Sequence, residues 1–111
     1  MSEADELYEM ANIYPADSGL PMTVWVGPRG DPPPRHDVRI KVSMAHGNRM
    51  SISNTAVVAV RPVPRLVTGQ LSAADLRLVS DWIHLNEAAI VAHWEGRSSA
   101  IQFAQQMKRL P

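Results

Sequence analysis

Apolar and polar residues alternate most regularly between Asp37 and Met44, where Val38, Ile40, Val42 and Met44 interleave with Asp37, Arg39, Lys41 and Ser43. A period of two places the two sets on opposite faces of an extended chain, so the pattern predicts a half-buried strand. Ala45-His46-Gly47-Asn48 is turn chemistry. Met50 and Ile52 then resume the alternation with Arg49, Ser51 and Ser53 outward, which predicts a hairpin. Upstream, Met22 to Val26 is a β-branched and aromatic run closed by Gly27-Pro28 and reads as another strand. Downstream, Ala56-Val57-Val58-Ala59-Val60 is apolar at every position, as expected of a central or doubly covered strand, and Pro62 and Pro64 end it.

The period changes after Leu71. Ser72 followed three residues later by Asp75 has the spacing of a capping box, with Leu71 and Leu76 at the staple positions around it. Leu78, Val79, Trp82, Ile83, Leu85, Ala89, Ile90 and Trp94 mark a broad apolar helical face opposite Arg77, Asp81, His84 and Glu95, and Gly96 is the stop. Such a helix, from Ala73 to Glu95, spans roughly 35 Å. Ser99 and Gln102 open a second, shorter helix with Ala100, Phe103, Ala104 and Met107 inward, ending with Lys108 and Arg109. The predicted fold is α+β: a small antiparallel sheet of about four strands packed under a long helix, plus a short C-terminal helix. Residues 1–19 read as an acidic N-terminal arm, with helical turns over Glu3 to Ala11 and a turn or linker at Tyr14 to Gly19, ahead of a single domain over 20–111.

Gly69-x-Leu71, the Leu76-Arg77-Leu78-Val79-x-x-Trp82 run, Leu85 and Ile90-x-x-x-Trp94 resemble the C-terminal half of a small bacterial domain-of-unknown-function family (DUF 4160), best over residues 69–95. Pro33-Pro34 ahead of His36 to Val42 resembles that family's N-terminal element, although Arg35-His36-Asp37 stands where the family has two histidines flanking one residue. The resemblance implies a small interaction or regulatory protein of bacterial genomes and mobile elements, of the kind found beside toxin–antitoxin modules.

Charge sharpens the picture. Eleven bases balance eleven acids, but residues 1–21 hold Glu3, Asp5, Glu6, Glu9 and Asp17 and no Lys or Arg. Arg29, Arg35, Arg39, Lys41, Arg49, Arg61 and Arg65 fall between residues 29 and 65, opposed there only by Asp31 and Asp37. Such a partition suggests a basic surface for an anionic partner, with the acidic arm in competition for it. The chain has no cysteine, hence no thiolate nucleophile, disulfide or Cys-based metal site. The acidic start and the lack of a long apolar run lead us to expect a cytoplasmic protein with no membrane partner.

Arg29, Arg35, Arg39, Lys41 and Arg49 are the candidate partner- or phosphate-binding residues, with Arg49 expected across the hairpin from Arg39 and Lys41. No aromatic residue falls among the outward positions of that hairpin. His36, between Arg35 and Asp37 and after the stiff Pro32-Pro33-Pro34 run, is the candidate acid or base of a metal-independent ribonuclease. No second titratable group is placed beside it by a motif. His84 and His93 are nine residues apart on one helix and point to nearly opposite sides, both toward solvent; His46 is a turn residue, so no metal site is expected. No cofactor is implied, and Trp82 and Trp94 read as core. The leading expectation is a non-catalytic interaction module for a protein partner. The alternatives are a nucleic-acid-binding regulator using the basic hairpin, the ribonuclease, and a homo-oligomer that pairs the edge Met22 to Val26.

Overall fold

The computed structural model describes residues 11–30 and 34–111. Five strands form one antiparallel sheet in sequence order: β1 (Ala11–Ile13), β2 (Val24–Val26), β3 (Arg39–Ser43), β4 (Thr55–Ala59) and β5 (Arg65–Thr68). A one-turn helix α1 (Pro15–Ser18) joins β1 to β2, and α2 (Ala73–Trp94) and α3 (Ala100–Gln106) follow the sheet. The mixed α+β class with a long and a short helix is as expected, but the strand expected over 49–53 is not formed and β1 and β5 are added. β5 lies immediately after Pro62 and Pro64, which end β4 as expected and separate it from β5.

Alternation decides which face is buried. Val24, Val26, Ile40, Val42 and Val58 point to one side and pack with Trp82, Ile83, Ile90 and Phe103 into the core. Trp25, Lys41 and Val57, at the intervening positions, are only half-buried. β4 is a central strand, between β3 and β5, as expected, and on its outer face Ala59 is buried while Val57 is half-buried.

The register corrects the expected hairpin. β3 pairs with β4, Arg39 opposite Ala59 and Ser43 opposite Thr55, and residues 44–54 are a connection ending in a 3-10 turn at Ile52–Asn54. This connection wraps one end of the sheet: Thr23 Oγ1 donates to Gly47 O at 2.9 Å and Gly47 N donates to Pro21 O at 2.9 Å. Thr23 and Ser43, polar residues of the outer face, are buried beneath it.

The N-terminal boundary also moves. Ala11 and Ile13 are buried in β1, which pairs with β2, and Leu20 is 2% exposed, so residues 11–19 belong to the folded body and Ala11 is extended, not helical. The helical turns expected over 3–10 lie outside the described residues. With β1 on one side and β3 on the other, β2 is an interior strand, and the expected Met22 to Val26 edge does not exist. The C-terminal residues close over the same region: Leu110 N donates to Ser18 O at 2.8 Å and Arg109 Nε to Ala16 O at 3.1 Å. Asn86, 3% exposed on α2, holds this segment by donating to Lys108 O at 2.9 Å and accepting from Lys108 N.

The α2 start is half of the expected box. Ser72 Oγ accepts from Asp75 N at 3.0 Å, but the Asp75 carboxylate meets His46 Nε2 at 2.8 Å instead of returning to Ser72. At α3 both arms form: Ser99 Oγ accepts from Gln102 N and Gln102 Oε1 from Ser99 N. α3 stops at Gln106, before Lys108 and Arg109. Gly69, between β5 and α2, has φ +84°, and a Cβ there would lie 2.7 Å from Ala56 Cα. Only glycine fits this position without strain.

Candidate functional site

The outer face of the sheet carries one transverse row of aligned residues, Asn12, Trp25, Lys41, Val57 and Thr68, set by successive strand pairings. The next row holds Arg39, Ala59 and Arg65. Arg39 and Lys41 are two residues apart on one strand, roughly 7 Å, and Arg39 and Arg65 are two strands apart, roughly 10 Å between backbones. The end of this face away from the 44–54 connection opens into a cleft of about 330 Å³, whose walls include Trp25, Arg29, His36, Arg39, Lys41 and Trp94.

Each wall has a local cause. Gly27 and Pro28 end β2, and Arg29 N donates to Trp94 O at 3.0 Å, so the loop is tied to the last turn of α2. His36 Nδ1–H donates to its neighbour's carbonyl, Asp37 O, at 2.8 Å, and the imidazole leans on Trp94 with ring centroids 5.5 Å apart. Lys41 Nζ stands 5.9 Å from the Trp25 ring centroid, within cation–π range.

Among the described residues, the two carboxylates adjoining the cleft in sequence are committed elsewhere. Asp37 takes a two-pronged bond from Arg61, 2.7 Å from Nε and 2.9 Å from Nη2. Glu95 is held by Arg97 at 2.7 Å. The hydrogen bond from Arg61 is the main cause holding the Asp37 carboxyl below its ordinary range, and that from Arg97 does the same for Glu95. Arg29, Arg39 and Lys41 have no ion-pair partner among the described residues.

The Arg61–Asp37 pair yields a pH prediction. Because the folded Asp37 pKa is depressed, its contribution is present above the unfolded value of about 3.9 and is lost as pH falls through the folded value. Arg61→Gln is expected to move the Asp37 carboxyl titration, followed by NMR, up toward that value. The loss of stability at neutral pH should be under about 1 kcal/mol, since the pair is exposed, and should disappear in acid.

Of the expected site residues, the structure brings together Arg29, Arg39, Lys41 and His36. Arg35 is exposed but does not line the cleft. Arg49 does not face Arg39 and Lys41: it lies in the 44–54 connection beyond the Ser43 end of β3, whereas Arg39 begins that strand. No family model, curated protein or solved structure matches the chain. The site is therefore read from its own geometry.

Sequence reasoning missed Trp25 and Trp94 as site residues. Trp25 had a signal: Val24 and Val26 on the core face put it on the opposite one, beside Lys41. Trp94 packs in the core as expected, with 9% of its surface exposed, and also supplies the cleft's end wall. His93, expected at the surface, is 2% exposed, with Nδ1 bonded to Ser98 O at 2.9 Å and its ring against Phe103. His46 is paired with Asp75, and among the described residues no group of three His, Asp or Glu could hold a metal ion. Nor is any described helix long and apolar enough to cross a membrane. Among the described residues at the cleft, His36 has no second proton-transfer group beside it: Asp37 is occupied by Arg61, and the other polar walls are cationic.

Proposed function

We propose that this chain is a nucleic-acid-binding regulator that holds a phosphate backbone on the open outer face of its sheet, with Arg39 and Lys41 as the main contacts and Arg29 at the rim. The supporting observation is the set of three cations around one cleft while Asp37 and Glu95 are neutralised by other arginines. A solvated strand face usually intersperses both signs, so an uncompensated group is where phosphate gains most. No catalytic step is assigned to His36.

Salt dependence tests this reading. With about three phosphates engaged, affinity for a labelled oligothymidine should fall about tenfold to twentyfold between ~50 and ~200 mM salt. Arg39→Ala and Lys41→Ala should each reduce the slope of log affinity against log salt by about 0.7–0.9. Binding that ignores salt, or slopes unchanged in both variants, would reject the proposal.

A protein partner is the second reading. Leu78 and Leu85, two helical turns apart on one face of α2, are 38% and 40% exposed, an apolar stripe of the kind that contacts another protein. Such a contact need not weaken with salt. Membership of a toxin–antitoxin-like or mobile-element module would suit either partner.

A further inference from the structure

Resting on the nucleic-acid reading, we infer that the ligand is single-stranded and that one of its bases stacks on Trp25, with the flanking phosphates on Arg39 and Lys41. Trp25 is half-buried, its Nε1–H is buried without an acceptor among the described residues, and the Lys41 ammonium stands over its ring. The side chain therefore offers a partner its π face, not its donor. A base is a better partner for that face than an exposed ammonium, because stacking outweighs a solvated cation–π contact. The ammonium sits on a flexible four-carbon stem, so it can swing aside to the phosphate when a base arrives.

Shape makes the same choice of ligand. The concavity of about 330 Å³ lies between the sheet face and the Pro28, Pro34, His36 and Trp94 wall. This is near the lower end of small-ligand pockets, the size of a splayed nucleotide. A duplex keeps its bases stacked inside and presents only phosphate to such a wall, leaving Trp25 without a partner. Val57, on the far side of Lys41 from Trp25 in the same row, adds apolar ground, while Arg39 and Arg65 stand in the next row. A strand crossing the sheet thus meets an aromatic face, the Lys41 ammonium and apolar ground along one line and the arginines beside it, the combination of stacking surface and cations that single-strand grooves use.

The test uses the full chain and three labelled ligands of equal length at one low salt concentration: oligothymidine, an abasic oligomer with the same phosphates, and a blunt duplex. Oligothymidine is expected to bind about tenfold or more tightly than either, and Trp25→Leu, checked for folding by its thermal transition, should erase that advantage while leaving the abasic affinity unchanged. Should the variant not fold, the comparison among ligands on the wild type still decides. Equal affinity for the abasic oligomer, or preference for the duplex, overturns base stacking but leaves the phosphate reading intact. No binding to any of the three, or polyglutamate of equal charge binding as tightly as oligothymidine, overturns both.

Discussion

Trp82→Ala is expected to destabilise the protein by about 3–5 kcal/mol and to lower the midpoint of thermal unfolding by at least about 12 °C. The side chain is fully buried on α2 among Val79, Ile83, Ile90 and the inward valines of the sheet, so its removal forfeits transfer energy and leaves a void that rigid strands cannot close. Domains of this size have only about 5–15 kcal/mol to lose. Trp82→Phe should cost much less. The indole N–H is buried with no hydrogen-bond partner among the described residues, and taking it away relieves a desolvation penalty of about 1–3 kcal/mol, which offsets part of the lost volume. Calorimetry of the two variants checks both statements; a Trp82→Ala protein melting like wild type would mean that α2 is not what holds the sheet.

Gly69→Ala has the second large effect, about 2–4 kcal/mol, for a different reason. The φ of +84° costs an alanine about 1–2 kcal/mol by itself, and the added Cβ would lie 2.7 Å from Ala56 Cα and 2.9 Å from its Cβ. Neither neighbour is a flexible side chain, so β4 or the chain into α2 must move. Urea unfolding should show a lower midpoint with an unchanged slope. Gly96→Ala is the control: it has φ +78° but nothing within 4 Å, so it should lose only the backbone part.

What could be read from the sequence depended on how local its cause was. The helices were legible because caps and apolar spacing act within a few residues: Ser72 and Ser99 both accept from the backbone N–H three residues on. The strand at Val38 to Met44 was legible from its alternation. Its partner was not, because Met50 and Ile52 continue the alternation just past a turn while Ala56 to Val60 is apolar at every position and shows no period, and only packing against the helices chooses between them. β1 and β5, of three and four residues, are too short to show a period, and β5 lies just past two prolines.

The site followed the same rule. Arg39, Lys41 and the half-buried His36 were visible as residues of one basic segment. Their grouping with Trp25 arises from a β2–β3 pairing across sixteen positions, Trp25 opposite Lys41, and with Trp94 from a turn at the far end of the chain. Arg49 was placed wrongly because its position depended on the hairpin register. The burial of His93 could not be seen either, since Phe103 reaches it from a different helix.

Every strand of this sheet pairs with its neighbour in sequence, so most of the structure closes through short loops and small entropy losses. The bonds from Leu110 to Ser18 and from Arg109 to Ala16 depart furthest from this, joining positions more than ninety residues apart. Such a tie is expected to form last in folding and to yield first in partial opening, making the meeting of α1 with the C-terminal residues the point where hydrogen exchange and proteolysis begin.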